Sequence, residues 1–416
     1  MATATTSTHP NDLRPLLARI TRDQGPEFEQ TVNFAPLTQV QIPTSLRTDR
    51  KIKWLQLHMR IRVTNAATGP TLRTGPSILG ANNSNIVFSL IQQIQILGQH
   101  LKYGAQTMFS MRGESLAEML ALMLPNYIPQ YTVAPNGGAP VRFGALDVTA
   151  SHYNDIEFNL PVPLFPTDVS GADSVMYCIH GPDWPGNLFV SLLFADGTAL
   201  ATANPPVTFS AYGSNSGSGT VDILSERPLL GKDYMAAIRS VLTYHITQSQ
   251  QPTNAVQSNG GTGVDLLDLQ VGKDTARIFC KFGTQGANES AGVVAFGSLS
   301  DLICTRTFFS LDSRALRFQN TNDDAALQDY MARSFGRFVP IGYKQLDFIS
   351  GPGTGAANPK AAFGSSQLTA ARKFQVNGDV TAASNQIAEI TQVMLLGAPG
   401  ITTSTAASTT TAATGS

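Results

Sequence analysis

Hydrophobic and polar residues alternate along 51-KIKWLQLHMRIRV-63 with the period of a strand. Leu55, Leu57, Met59, Ile61 and Val63 fall on one side, and Trp54, Gln56, His58, Arg60 and Arg62 on the other. Successive strand side chains point to opposite faces, so the segment predicts one apolar face and one polar, mostly basic back. Shorter apolar-rich or alternating runs predict further strands at 31–42, 86–98, 156–165, 188–195 and 206–213. Turn-forming stretches such as 65-NAATGPTLRTGPS-77 and 134-APNGGAP-140 separate them. One segment, 113-GESLAEMLALMLPNY-127, breaks the period. Its Leu116, Met119, Leu120 and Met123 recur at helical spacing, Glu114 and Glu118 lie in the early turns, and Pro125 ends it.

The same order then repeats. After the Gly/Ser-rich stretch 213–228, which reads as a boundary, alternation resumes at 237-AIRSVLTYHITQ-248. Strands are expected at 264–271, 276–283, 301–311, 338–349, 371–380 and 389–397. Again one helix interrupts, over 321–335, with Asp323 and Asp324 opposing the dipole and Leu327, Tyr330, Met331 and Phe335 on one face. The chain therefore reads as all-β, in two consecutive units. An N-terminal arm spans 1–30, the first unit 31–225, the second 226–400, and a Thr/Ala/Ser tail 401–416. In the arm, Leu13, Leu16, Leu17 and Ile20 predict a short helix over 10–22, with Arg14, Arg19 and Arg22 off its apolar face. The tail has neither charge nor aromatic ring and is expected to pack into no core.

Charged residues make up only 14% of the 416-residue chain, against about 25% in ordinary soluble domains. Such a surface suits burial against copies of the same protein. The net charge of −1 and the absence of Lys/Arg runs argue against sequence-specific nucleic-acid binding. Cys178, Cys280 and Cys304 are far apart and read as buried thiols, not as a disulfide framework or a zinc site. Neither a cleavable leader nor an apolar run of membrane-spanning length is read in the sequence.

Candidate chemistry is sparse. No nucleophile elbow, zincin motif or phosphate loop occurs, and the glycines of 351-GPGTGAA-357 lack the helix a dinucleotide fingerprint needs. The six histidines (His9, His58, His100, His152, His180, His245) are dispersed, and nothing in the sequence pairs with His58 or His245. Asp265 and Asp268 stand three apart on an expected strand and should point to opposite faces. The N-x-[ST] matches at Asn82 and Asn288 read as chance. No catalytic, cofactor-binding or metal-ligating residue is assigned, and a non-enzymatic protein is expected.

Two β units in tandem, each with a helix ahead of its closing strands, carry a family resemblance. Its local residues are 86-IVFSLIQQIQILGQHLKYGAQ-106, 156-IEFNLPVPLFPTD-168 with 186-GNLFVSLLFADGTAL-200, and 338-FVPIGYKQLDFISGPGTG-355 with 367-QLTAARKFQVNGDV-380. Over about residues 31 to 397 the chain resembles the double jelly-roll major capsid proteins of the tectivirus–adenovirus lineage. The resemblance implies two tandem eight-stranded jelly-roll barrels, each with an inserted helix. It implies pseudo-hexameric homotrimers tiling an icosahedral virion, such as that of a bacteriophage, assembled in the host cytoplasm. Partners would be other trimers, penton and minor capsid proteins, and an internal viral membrane reached through the N-terminal arm. On this view Gln56, Arg60 and Arg62 back a barrel wall that meets another wall, so truncating Gln56 or Arg60 should weaken association and spare the fold of one chain. The alternatives are a glycan-binding or glycan-processing tandem jelly roll, for which Trp54 and Trp184 are the only tryptophans, and a viral spike or adhesin.

Overall fold

The computed structural model describes residues 21–23, 29–44, 51–52, 54–72, 84–101, 104–123, 130–164, 179–180, 184, 188–201 and 207–229 of the first half. In the second half it describes 244–250, 261–269, 274–288, 294–299, 304–311, 314–316, 343–347, 374–380 and 386–396. Of the helix expected over 10–22, residues 10–20 lie outside the described residues and the last two, Thr21 and Arg22, are strand instead. The second helix at 321–335, the glycine loop 351–357 and the tail 401–416 also lie outside the described residues.

In chain order the first-half strands are β1 (Thr21–Asp23), β2 (Glu29–Asn33), β3 (Gln39–Thr44), β4 (Lys51–Ile52), β5 (Trp54–Asn65), β6 (Ile91–His100) and β7 (Gly104–Met111). The helix α1 (Gly113–Met123) follows, then β8 (Gln130–Pro135), β9 (Val141–Arg142), β10 (Tyr153–Pro163), β11 (Ile179–His180), β12 (Leu188–Phe194), β13 (Val207–Ser210) and β14 (Thr220–Leu229). The second half adds β15 (Tyr244–Gln250), β16 (Gly261–Leu269), β17 (Asp274–Asn288), β18 (Val294–Leu299) and β19 (Cys304–Leu311). It closes with β20 (Arg314–Leu316), β21 (Tyr343–Asp347), β22 (Phe374–Val380) and β23 (Gln386–Leu396).

One sheet runs β1-β14-β5-β10-β8-β9, with β2 beside β14 and β13 beside β5. Across the core from it lies β3-β12-β6-β7, and this second sheet does not end with the first unit. At Thr247 and Gln248, β15 pairs in parallel with Phe109 and Ser110 of β7, and the sheet continues β15-β23-β17-β18 with β21 beside β17. A further sheet, β16-β22-β19-β20, belongs to the second half alone. The two units are therefore stitched through a shared sheet.

The first core forms where the apolar faces of β5, β10, β6 and β12 meet. Leu57, Ile61, Leu160, Ile94, Ile96, Val190 and Leu192 are all fully buried. Phe88 fills the space between the sheets, its ring centroid 5.0 Å from that of Phe158 and 6.1 Å from that of Tyr131. Each such side chain contributes about 1.5–3 kcal/mol on leaving water.

Three segments depart from the sequence pattern. The run 86-IVFSL is apolar without alternation, and it forms a 3₁₀ turn (Ser84–Leu90) buried on all sides. There the Ser89 hydroxyl lies 2.5 Å from the Ile86 carbonyl and 3.0 Å from that of Ala199. Short apolar runs carry no period that separates helix from strand. The strand expected over 31–42 breaks into β2 and β3 at Pro36, which lacks an N–H, and at Leu37, whose φ of 58° is left-handed. Finally, the stretch expected to join the units is half strand. After a turn at 211–219, β14 pairs with β2 and β5, burying Val221 and Ile223.

Gly113 begins α1 because nothing larger fits. A Cβ there would overlap the Phe88 carbonyl oxygen and crowd that of Ile91. Gly113→Ala is expected to cost about 1–3 kcal/mol through overpacking against rigid backbone. Chemical denaturation checks it, and unchanged stability would mean that the helix start can move.

Candidate functional site

Two polar assemblies stand out, one on the back of β5 and one buried where the units meet. On β5 the apolar face is the one expected: Leu55, Leu57, Met59, Ile61 and Val63 are all buried. The polar back is not bare, because strands remote in sequence bring it partners. In antiparallel register Asp155 of β10 stands opposite Arg62 and Glu157 opposite Arg60, while Asp222 of β14 stands opposite His58. His58 Nε2 lies 2.7 Å from Glu157 Oε1, and its Nδ1 lies 3.5 Å from Asp222 Oδ2. Arg60 reaches the same Asp222 carboxylate at 3.6 Å, and Thr31 donates to its other oxygen at 2.7 Å. The reading of His58 as unpaired is thus corrected, since its partners lie on β10 and β14.

Arg62 is corrected more strongly. It is 6% exposed and donates two parallel hydrogen bonds to Asp155, at 2.8 and 2.7 Å. A third goes to Asn215 at 2.7 Å, and the guanidinium stacks on the Tyr153 ring, 3.8 Å from its centroid. The Asp155 bonds hold its pKa above the ordinary arginine value. A bidentate, stacked and buried guanidinium fixes β5 to β10. Arg62 belongs to the fold of one chain and is not open to a neighbouring wall.

Asp265 and Asp268 are corrected too. A bulge on β16 lets three residues, Asp265 to Leu267, pass two on β22, so Asp265 stands opposite Asn377 and Asp268 opposite Gln375. Partners two apart share a face, so both aspartates point the same way, and Asn377 donates to Asp265. His152 is tied locally, its Nδ1 2.8 Å from Asp147, whose carboxyl is held down at about 2 by hydrogen bonds from Thr149 and His152. Cys280 is a buried thiol. Trp184 is buried with its ring edge-on to His100, at 5.0 Å between centroids, so it offers no open platform for a sugar ring.

The second assembly was not anticipated. Glu114 and Glu118 read from sequence as partners for the helix dipole, yet both are buried. Glu118 is 0% exposed, Lys281 Nζ of β17 lies 2.8 Å from its Oε2, and the Tyr343 hydroxyl of β21 donates to the same atom. Ser115, one turn earlier, donates to Glu389 of β23 at 2.8 Å. Phe279, Lys281, Glu389, Thr391 and Val393 thus bury one face of β17 and β23 toward α1. Ile278, Cys280, Phe282, Ile390 and Met394 bury the other. A strand covered on both faces loses its alternation, so 276-ARIFCKFG-283 hides an inward lysine in an apolar run. The only warnings were that lysine and two carboxylates four apart on an otherwise apolar helix.

Met111, Ser115, Glu118, Phe279, Lys281 and Tyr343 line a cavity of about 20 Å³ at this joint, room for a single water. Burial pushes the Glu118 carboxyl up to about 7, with Glu114 adding to the rise while Lys281 and Tyr343 oppose it. The same surroundings push the Tyr343 hydroxyl well above its usual range, burial first and Glu118 next. The cluster can hold a proton and fasten two units. Among the described residues, no helix is long and apolar enough to cross a membrane.

No protein-family model matches this chain, and no curated protein sequence does. Solved structures do. The MCP of STIV, the Sulfolobus turreted icosahedral virus, superposes with a TM-score of 0.53 at 12% identity, covering 91% of this chain and 96% of that one. VP54 of PBCV-1, in a structure fitted into a reconstruction of the virophage Sputnik, superposes with a TM-score of 0.50 at 10% identity, covering 88% and 93%. At such identities the likeness is one of fold. This chain is a double jelly roll over nearly its whole length.

Proposed function

We propose that this chain is a major capsid protein, a structural subunit of a virion and not an enzyme. The observation that carries the reading is the end-to-end match of both jelly-roll units to the STIV MCP, 91% of one chain against 96% of the other. Low charge and stitched units agree with it, because a shell subunit buries most of its sides against copies of itself and must hold both barrels in one orientation. The functional unit is a homotrimer of pseudo-hexagonal outline, and its further partners are other trimers with penton and minor capsid proteins. Of the stretch 1–30 read as an arm, β1 and the start of β2 belong to the first sheet, so the arm that reaches an internal lipid surface, as in a membrane-containing bacteriophage, is left to residues 1–20. The bounds 31–225 of the first jelly roll widen to take in β1 at its start and the end of β14 at Leu229, the second jelly roll runs from there to about 400, and 401–416 is a tail.

Light scattering on the purified chain at micromolar concentration is expected to give three times the chain mass of 44.3 kDa, and electron microscopy six-lobed particles. A stable monomer overturns the reading.

A further inference from the structure

We infer that the buried cluster around Glu118 is a proton-operated joint, which locks the two units together while Glu118 carries a proton and loosens their contact when it is lost. Glu118 sits on α1 in the first unit, and its bonding partners Lys281 and Tyr343 both sit in the second. The neighbouring bond, Ser115 to Glu389, also crosses between units. Three buried carboxylates meet here: Glu114 and Glu118 on α1, and Glu389 on β23. Among the described side chains the cations beside them are Arg112, and Lys281, which in the β17–β23 register is directly opposite Glu389. Arg112, also buried, precedes the first turn of α1. Each carboxylate that ionises among these buried groups gives up its hydration and adds a like charge beside the others. Glu118 Oε1 already has no hydrogen-bond partner among the described residues. A proton on Oε1 removes one of these charges, while Oε2 still accepts from Lys281 and Tyr343.

The sign follows from the proton count. Below the ordinary carboxyl value of 4.5, folded and unfolded chains both hold the proton, and the full stability is present. Between there and about 7 the folded chain keeps a proton that the unfolded chain has released, so stability falls as pH rises. Above that the loss is complete. The change acts at the contact between units, since the charge appears on one and its neighbours lie on the other.

Hydrogen exchange of the full chain, corrected for intrinsic rates, tests this between about pH 6 and about pH 8.5. Protection at 116–121 and 388–393 is expected to drop by about tenfold or more, while β5 and β10 keep theirs. Glu118→Gln should abolish the pH dependence. Tyr343→Phe removes a donor that favours the ionised carboxylate, so it should move the midpoint to higher pH. An equal drop in Glu118→Gln, or one spread evenly over β5 and β10, overturns the inference. If Glu118→Gln does not fold, Tyr343→Phe decides, and an unmoved midpoint overturns it.

Discussion

Replacing Arg62 by alanine is expected to destabilise the chain by about 3–5 kcal/mol, the cost of leaving one partner of a buried ion pair alone. Asp155 would keep the backbone N–H of Gly213, at 3.0 Å, but lose both guanidinium bonds in a site that water barely reaches. Arg60, two residues earlier on the same back, should behave differently. Its side chain is 47% exposed and meets Asp222 only at 3.6 Å, so Arg60→Ala should change stability by about 1 kcal/mol or less. Denaturant unfolding followed by circular dichroism separates the two variants. Equal and small effects would mean that the Arg62–Asp155 pair is not formed in solution.

On the opposite face of β5, Leu57→Ala and Ile61→Ala should each cost about 2–5 kcal/mol, the transfer term plus the cavity left behind. Both residues are fully buried among strands from two sheets, which cannot collapse onto the space. The sign of this experiment also fixes the register. A one-residue slip would exchange the faces, making Gln56→Ala costly and Leu57→Ala harmless. Oligomer mass measured on the same samples tells loss of folding from loss of association.

Much of the first unit is legible because its strands are buried on one face. The alternation of β5 places five residues in the core correctly, and the period of α1 marks the one α-helix among the described residues. What escapes is whatever depends on distant partners. His58 and Arg62 look alike in sequence, and partners more than ninety residues away leave one partly exposed and the other buried. The bulge on β16 leaves no local sign, yet it turns Asp268 to the face of Asp265. The joint is hidden for a related reason. Acidic residues early in a helix have an ordinary explanation in the dipole, and nothing near α1 announces that a second unit will cover it. The parallel pairing of β7 with β15 is equally silent, because a Gly/Ser stretch suggests separation where the sheet in fact continues.

That continuity sets a timetable for synthesis. The contact from Ser115 to Glu389 spans 274 residues, and a ribosome adding about 5–20 residues per second needs about 14–55 s to make them. For about half of that interval, until β15 is made, the nascent chain carries an unpaired edge on β7, and for all of it an uncovered flank on α1, beside other nascent chains on the same message. An open edge of this kind invites pairing with a neighbour's strand before its own arrives. The stitched sheet that makes the finished subunit rigid therefore makes its birth the most hazardous period of its life. A lower density of ribosomes on the message is therefore expected to raise the share of subunit that folds soluble.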